Sequence, residues 1–332
     1  MPGSASPTVE RAARAGDVRL SPIAVAPRSL GATVPQAIAP VAAQLRRCRE
    51  LGVTTFDLVD APDPGFAAVC LRRAFPRPDP DLVVLVAGQP ARSLAISRAG
   101  PPPVSSVGAG PAGSRRPPEE TASLLSGFRR VVEARHDPRS PLGFPSFVSD
   151  LLGLRDEPGV ADVCVRCATL AEVDQVVSHP GAPLASASFS LLEPELLGPR
   201  RASWDSGIAR CIARDVLAGG RLDGSAWSGP GGESKGLGRA PPTPVRDLSA
   251  GYAGVLRLGF LTARRDRTLA QAAVAYVLTK PWVSTACLPL PPPRRLEEIL
   301  RFREVPPLSP QELGQLEHPE KPPEPEARRG GS

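Results

Sequence analysis

The chain has 332 residues, enough for one large domain with tails, because a single α/β barrel commonly needs ~250 residues. The net charge is +6, yet no basic stripe interleaved with aromatic residues accompanies it, so we expect no nucleic-acid partner. No apolar run approaches the ~20 residues of a membrane span and no secretory signal opens the chain. The sequence therefore predicts a protein of the reducing cytoplasm, without a membrane partner.

Proline and glycine divide the chain into a folded part and low-complexity segments. The 42 prolines and 31 glycines exceed the usual share of these residues, which is typical of chains with long irregular segments. We predict a disordered tail over 1–17, a folded domain over 18–316 and a disordered tail over 317–332. Flexible insertions are predicted near 100–120 and 224–246, where proline, glycine and serine concentrate.

Strands and helices alternate along the predicted domain. After a possible hairpin over Arg19–Leu30, the predicted helices, which share apolar residues at helical spacing, are Pro35–Leu51, Phe66–Phe75, Pro145–Leu154, Leu170–Val177, Thr268–Leu278 and Arg294–Phe302. The predicted strands, which are short and mainly apolar, are Val53–Leu58, Leu82–Ala87, Phe128–His136, Val160–Val165, Leu184–Ser190, Ile208–Ala213 and Val283–Leu288. Repeated units of this kind indicate a parallel sheet. Their number favours a closed (β/α)8 barrel, and the lack of a Gly-x-Gly-x-x-Gly motif after the first strand counts against a dinucleotide-binding open sheet.

Five segments are to be compared with known families: Leu51–Asp57, Val160–Val165, Phe189–Glu193, Gly207–Leu222 and Leu269–Leu278. In their order and spacing, these segments resemble the aldo-keto reductase family. The resemblance implies a TIM barrel, the cofactor NADP(H), and reduction of a small-molecule carbonyl compound, an aldehyde or ketone. In that chemistry a tyrosine protonates the developing alkoxide, a lysine lowers the pKa of the tyrosine, an aspartate pairs with the lysine, and a histidine orients the substrate.

The resemblance assigns two catalytic positions and leaves two without the expected residue. Asp57 matches the aspartate and His136 matches the histidine. Pro62 stands where the tyrosine is expected and Gly88 where the lysine is expected, and neither can supply a proton or a positive charge. The tyrosine that stacks on the cofactor in the family falls on Ala213 or Arg214.

The resemblance also assigns cofactor-binding positions. Gly219 and Gly220 lie in the glycine-rich loop near the cofactor, and Arg294 and Arg295 lie where a guanidinium would pair with a 2′-phosphate. A solvated helix terminus is the alternative for the two arginines. No metal site is predicted: Cys164 and Cys167 form a single CxxC, which we interpret as packing because no further ligands accompany it.

Three functions remain open from the sequence. The first is an aldo-keto reductase-like protein with a degenerate catalytic site that binds a ligand or a protein partner. The second is an active NADP(H)-dependent oxidoreductase with a rebuilt proton donor, either His136 with Asp57 or a water held by Asp60 or Asp63. The third is an interaction scaffold that recruits partners through the proline-rich segments 101–118 and 306–325.

Overall fold

The computed structural model describes residues 13–15, 18–27, 34–88, 118–139, 142–181, 183–193, 211–225, 253–264 and 266–317. Most of the two predicted insertions, all but the last residue of the proline-rich segment 101–118, and residues 318–332 lie outside these ranges. None of the helices in the described ranges has the length and apolar character needed to cross a bilayer.

Eight parallel strands form a closed barrel, as the alternating pattern predicts. After a two-stranded hairpin (β1 and β2), the barrel strands in chain order are β3 (Ile23–Ala26), β4 (Thr55–Asp57), β5 (Val83–Ala87), β6 (Arg129–Arg135), β7 (Val160–Arg166), β8 (Leu184–Ser188), β9 (Cys211–Arg214) and β10 (Val283–Pro289). Each strand pairs with the next along the chain, and β10 closes the ring against β3. All eight carboxyl ends therefore lie at one face of the barrel, where the sites of this architecture are found.

An antiparallel hairpin closes the opposite face. Its strands are β1 (Ala13–Ala15), which lies in the predicted N-terminal tail, and β2 (Val18–Leu20). Ser21 follows β2 and accepts hydrogen bonds from the amides of Thr54 and Thr55, at the start of β4. The hairpin predicted over Arg19–Leu30 is therefore wrong: it merges β2 with the first barrel strand, whose partners lie more than 250 residues later on β10.

Helices surround the barrel on its outside. They are α1 (Val34–Glu50), α2 (Pro64–Ala74), α3 (Pro118–Leu124), α4 (Phe144–Leu152), α5 (Leu170–Val177), α6 (Leu269–Thr279), α7 (Pro293–Leu300) and α8 (Pro310–Glu317). Side-chain caps fix several starts: Asp63 accepts from the amide of Phe66, and Thr268 opens α6 with a reciprocal capping box. Arg267 donates to the carbonyls of Pro306 and Pro307, so the start of the second proline-rich segment is bound to the barrel body.

Alternation along the strands separates two apolar cores. Odd-numbered side chains of β5 and β6, such as Leu85 and Val131, point into the barrel, whereas Val84 and Val132 face the helices. The interior contains mainly small and aliphatic side chains near the hairpin. Towards the carboxyl ends of β4, β6, β7 and β9, the inward positions carry charge instead, and these four positions, with one aspartate from the loop after β4, form the candidate site.

Candidate functional site

Arg214 is the largest fully buried side chain of the described residues, and it lies inside the barrel mouth. It is the last residue of β9, where Ile212 points into the barrel and Cys211 and Ala213 point outward. Alternation therefore directs Arg214 inward, and its side chain is 1% exposed. The predicted strand over Ile208–Ala213 ends one residue too early, and this arginine is one of the two residues, Ala213 or Arg214, to which the resemblance gives the place of a stacking tyrosine.

Three carboxylates hold the Arg214 guanidinium. Its Nη1 donates to Asp57 Oδ2 at 2.7 Å and to Asp60 Oδ2 at 2.6 Å, and its Nη2 donates to Glu133 Oε2 at 2.6 Å. Asp57 and Glu133 are buried at the inward positions of β4 and β6. A buried charge is tolerated only when it is paired in this way. The aspartate expected to pair with a lysine is thus paired with an arginine from the far side of the ring.

A second arginine joins the group from β7. Arg166 Nη1 lies 2.6 Å from Asp60 Oδ1 and 3.7 Å from Glu133 Oε1. Asp60 therefore bridges two guanidinium groups, one with each carboxylate oxygen. We call these five residues, Asp57, Asp60, Glu133, Arg166 and Arg214, the mouth cluster.

The mouth cluster has three carboxylates for two arginines, and the pKa shifts reflect this imbalance. Burial raises the pKa of Glu133 above its ordinary 4.5; Arg214 opposes the shift and the charge of Asp57 adds to it. Burial also works against ionised Asp60, but Arg214 and Arg166 outweigh it and hold the pKa of Asp60 below 3.8. Burial would lower the pKa of Arg214, but the neighbouring carboxylates, Asp57 first among them, hold that pKa above its ordinary value. Asp60 and Arg214 are therefore charged at neutral pH, and Glu133 is the member most ready to take a proton.

His136 lies apart from the mouth cluster. It follows β6 at a position of the same parity as Val132 and Ala134, which face the helices. Its Nε2 donates to the carbonyl of Leu142 at 2.9 Å, and its ring packs against Phe144 and Phe147 of α4. The histidine predicted to orient a substrate is thus a partly buried contact between β6 and α4.

The resemblance places the tyrosine at an exposed loop residue and the lysine at a glycine that packs closely against the outer core. Pro62 is exposed in the loop between β4 and α2. A Cβ at Gly88 would lie 2.3 Å from Val132 Cγ1, so a side chain there would displace the outer core. Within the described ranges, a tyrosine and a lysine do meet at Tyr276 and Lys280, with Nζ 4.8 Å from the ring centroid, but they lie on α6 and directly after its end, outside the barrel.

The predicted cofactor positions are occupied by contacts within the chain. Gly219 and Gly220 have φ of +65° and +89°, so the glycine-rich turn after β9 is present. The Gly219 amide, however, donates to Asp215 Oδ1 at 2.7 Å. Arg295 donates to the carbonyl of Asp223, while Arg294 is exposed on α7. A dinucleotide phosphate would meet the carboxylate of Asp215 where it needs a free amide, so these residues do not fit the phosphates of NADP(H) as they stand.

The cysteines of the CxxC do not form a pair. Cys164 points into the barrel and Cys167 packs in the outer core, and both are free. Burial raises the pKa of Cys167 to about 12, which suppresses the reactive thiolate. Among the described residues no group of three or more histidine, cysteine or carboxylate side chains is arranged so that it could hold a metal ion.

Glu133, Arg166 and Arg214 are not among the site residues that the sequence predicts. Each is a charged residue at or near the carboxyl end of a predicted strand, and in a parallel barrel such ends meet at one face. A charged residue at a strand end is therefore the sequence signal that could identify all three. Their contacts within the mouth cluster, which join residues up to 157 positions apart, follow only from the closure of the ring.

Comparison with known proteins supports the architecture. No family sequence model matches the chain, and no curated protein matches it in sequence. The structure does match the aldo-keto reductase AKR11C1 from Bacillus halodurans. The apo form gives a TM-score of 0.59 at 14% identity over 90% of this chain and 92% of that chain, and the holo form gives 0.58 with the same identity and coverage. The chain therefore has the (β/α)8 barrel fold of the aldo-keto reductases.

Proposed function

We propose that this aldo-keto reductase-like barrel has a degenerate catalytic site and binds a small ligand at its mouth without transferring hydride. The observation that carries the proposal is the position of Arg214. Its buried guanidinium occupies the barrel mouth, pairs with Asp57 and is held by two further carboxylates. A ligand reaching this face would meet a charged cluster rather than a proton donor.

The four positions that the resemblance assigns to hydride transfer do not form a site: two hold other residues, and the remaining two lie apart from each other. Asp57 pairs with Arg214, His136 contacts α4, and Gly88 has no space for a lysine side chain. Groups that act as a unit in catalysis lose most of their effect when one is removed. The joint replacement of the tyrosine and lysine therefore supports a binding role over a reductase with one weakened component.

The surroundings of the mouth are also unsuited to a polyanionic cofactor. The pKa of Asp215 is raised first by burial and then by the nearby charges of Glu193 and Asp60, although the Gly219 amide and Arg221 oppose the shift. Several carboxylates thus lie close together beside the glycine-rich turn. Their field disfavours the approach of phosphate groups.

A second candidate function keeps the reductase chemistry with Glu133 as a rebuilt proton donor. The observation in its favour is the raised pKa of this buried carboxyl, since a carboxylic acid kept protonated by burial can act as a general acid. The sequence offers His136 with Asp57, or a water held by Asp60 or Asp63, for this role. His136 bonds instead to Leu142 and Asp63 to the amide of Phe66, while Asp60 pairs with Arg166 and Arg214.

The two candidates are separated by cofactor binding and turnover. Purified protein is titrated with NADPH and NADH to millimolar concentration, with thermal melting as the readout, and then assayed with a panel of aldehydes and ketones. A ligand present at 100 times its Kd would stabilise the fold by ~2.7 kcal/mol and raise the melting temperature. We expect neither a shift nor consumption of cofactor. Turnover that disappears in Glu133→Gln would establish the second candidate instead.

A further inference from the structure

Two arginines converge on a single partly exposed carboxylate in the mouth cluster. Asp60 Oδ1 lies 2.6 Å from Arg166 Nη1, and Asp60 Oδ2 lies 2.6 Å from Arg214 Nη1. The side chains of Asp60 and Arg166 are 38% and 34% exposed, whereas Arg214 is 1% exposed. One carboxylate thus connects the buried part of the barrel mouth with its surface.

Asp60 differs from the other carboxylates in its attachment to the fold. Asp57 and Glu133 are buried and belong to strands, so neither can leave without exposing the barrel interior. Asp60 lies three residues beyond β4, in the loop that leads to α2, and a carboxylate exposed to this extent can be hydrated when it turns outward. If the Asp60 side chain turned outward, Arg214 would stay paired with Asp57 and Glu133. The Nη1 groups of Arg166 and Arg214 would each lose their hydrogen bond to Asp60 and could donate to a ligand.

We infer that Asp60 is an internal substitute for a ligand, and that the mouth binds a small monocarboxylate which displaces the Asp60 side chain and takes its place between Arg166 and Arg214. The exchange replaces one carboxylate by another, so the charge among the two arginines is unchanged. Guanidinium groups suit this ligand because their planar donors match the two oxygens of a carboxylate.

The charge of the mouth cluster favours an oxyanion with one negative charge over an oxyanion with two. With Asp60 turned outward, two arginines face the two carboxyl groups of Asp57 and Glu133, and a monoanion adds one negative charge. A phosphate dianion would add two beside Glu133, whose pKa is already raised by burial and by Asp57. Arg214 Nε is buried without a hydrogen-bond partner among the described residues, so this side chain retains an unused donor.

This inference rests on the proposed function in one respect, namely that the mouth binds a ligand. It predicts that Asp60 competes with that ligand. When a site is open for only a fraction of the time, the apparent Kd equals the intrinsic Kd divided by that fraction, so the ligand binds more weakly. Removal of the Asp60 carboxylate should therefore tighten carboxylate binding by roughly 10-fold or more.

The experiment compares acetate and inorganic phosphate binding by calorimetry at constant ionic strength. The variants are the wild type, Asp60→Ala, and Asp60→Ala with Arg166→Ala. The matched control is Asp79→Ala, because Asp79 pairs with Arg49 at 2.8 Å with exposures of 38% and 35%, close to those of Asp60 and Arg166. Circular dichroism checks the fold, and Asp60→Asn replaces Asp60→Ala if the alanine variant does not fold.

We expect acetate to bind Asp60→Ala at least 10-fold more tightly than the wild type, and the added Arg166→Ala to abolish the gain. Asp79→Ala should bind acetate as the wild type does. Folded Asp60→Ala or Asp60→Asn that binds acetate no more tightly than the wild type would overturn the inference, and so would a gain that survives the loss of Arg166. Equal gains for acetate and phosphate would overturn the assignment to a monocarboxylate. Cofactor turnover is assayed separately, so failure of the proposed function would be seen independently.

Discussion

Replacement of Arg214 by methionine should strongly destabilise the barrel. Methionine keeps much of the side-chain volume but leaves Asp57 and Glu133, which are 0% and 1% exposed, without their counter-ion. Removing one partner of a buried ion pair costs about 3–5 kcal/mol. This is a large part of the ~5–15 kcal/mol by which native proteins are stable. At roughly 2–4 °C per kcal/mol, the melting temperature should fall by roughly 6–20 °C.

The sign of the pH dependence provides a second readout of the same variant. A carboxyl whose pKa is raised in the folded state contributes stability below its unfolded pKa, and this contribution is lost as the pH rises through the folded value. Arg214 lowers the pKa of Glu133, so its removal raises that pKa further. The stability difference between wild type and Arg214→Met should therefore be largest near pH 7–8 and should shrink as the pH falls towards 4.5.

Thermal and urea unfolding at pH 7.5 and pH 5 measure both effects. The control is Arg49→Met, which removes the surface pair with Asp79 and should cost less than ~1 kcal/mol. Adding Glu133→Gln to Arg214→Met should recover about 1–3 kcal/mol, because it removes one uncompensated buried charge. A loss below ~1 kcal/mol at pH 7.5, or no recovery with Glu133→Gln, would refute the argument that the three carboxylates depend on Arg214.

Three further variants test the surrounding structure. Gly88→Ala should cost about 1–3 kcal/mol at pH 7, because its Cβ would lie 2.3 Å from Val132 Cγ1, and the loss should be smaller when Val132→Ala is also present. Arg267→Ala should cost about 2–4 kcal/mol and raise hydrogen exchange in α8, because the buried guanidinium bonds three carbonyls and Glu312; unchanged exchange would contradict this role. Thr268→Ala should cost about 1 kcal/mol in urea unfolding through loss of the α6 cap, and a neutral result would remove that assignment.

The alternation of short apolar strands with amphipathic helices was enough to predict the barrel. The run Leu82–Ala87 indicated a strand buried on both faces, and β5 lies at Val83–Ala87 between two parallel neighbours. The first barrel strand, Ile23–Ala26, was missed because it has four residues and its partners on β10 are remote in sequence. Local patterns indicate a strand, whereas pairing across the closure of a ring depends on the whole chain.

Two properties limit prediction of the site from sequence: the direction in which a side chain points from its strand, and contacts between strands that are distant in sequence. His136 stands at a strand end, as expected of a site residue, but its parity turns it towards Phe144 and Phe147. Glu133, three residues earlier, has the opposite parity and points inward. Counting alternate positions back from His136 would have separated the two residues. The pairing of Asp57 with Arg214, in contrast, depends on which strands face each other across the interior, and no local pattern carries that information.

A crystal structure of the protein grown with millimolar NADPH tests the central claim most directly. We expect the Arg214 guanidinium to lie within hydrogen-bond distance of Asp57 and Glu133, and no nicotinamide to occupy the barrel mouth. Arg214 turned out of the mouth, with a nicotinamide ring beside Asp57, would contradict the claim that this arginine has replaced the reductase site.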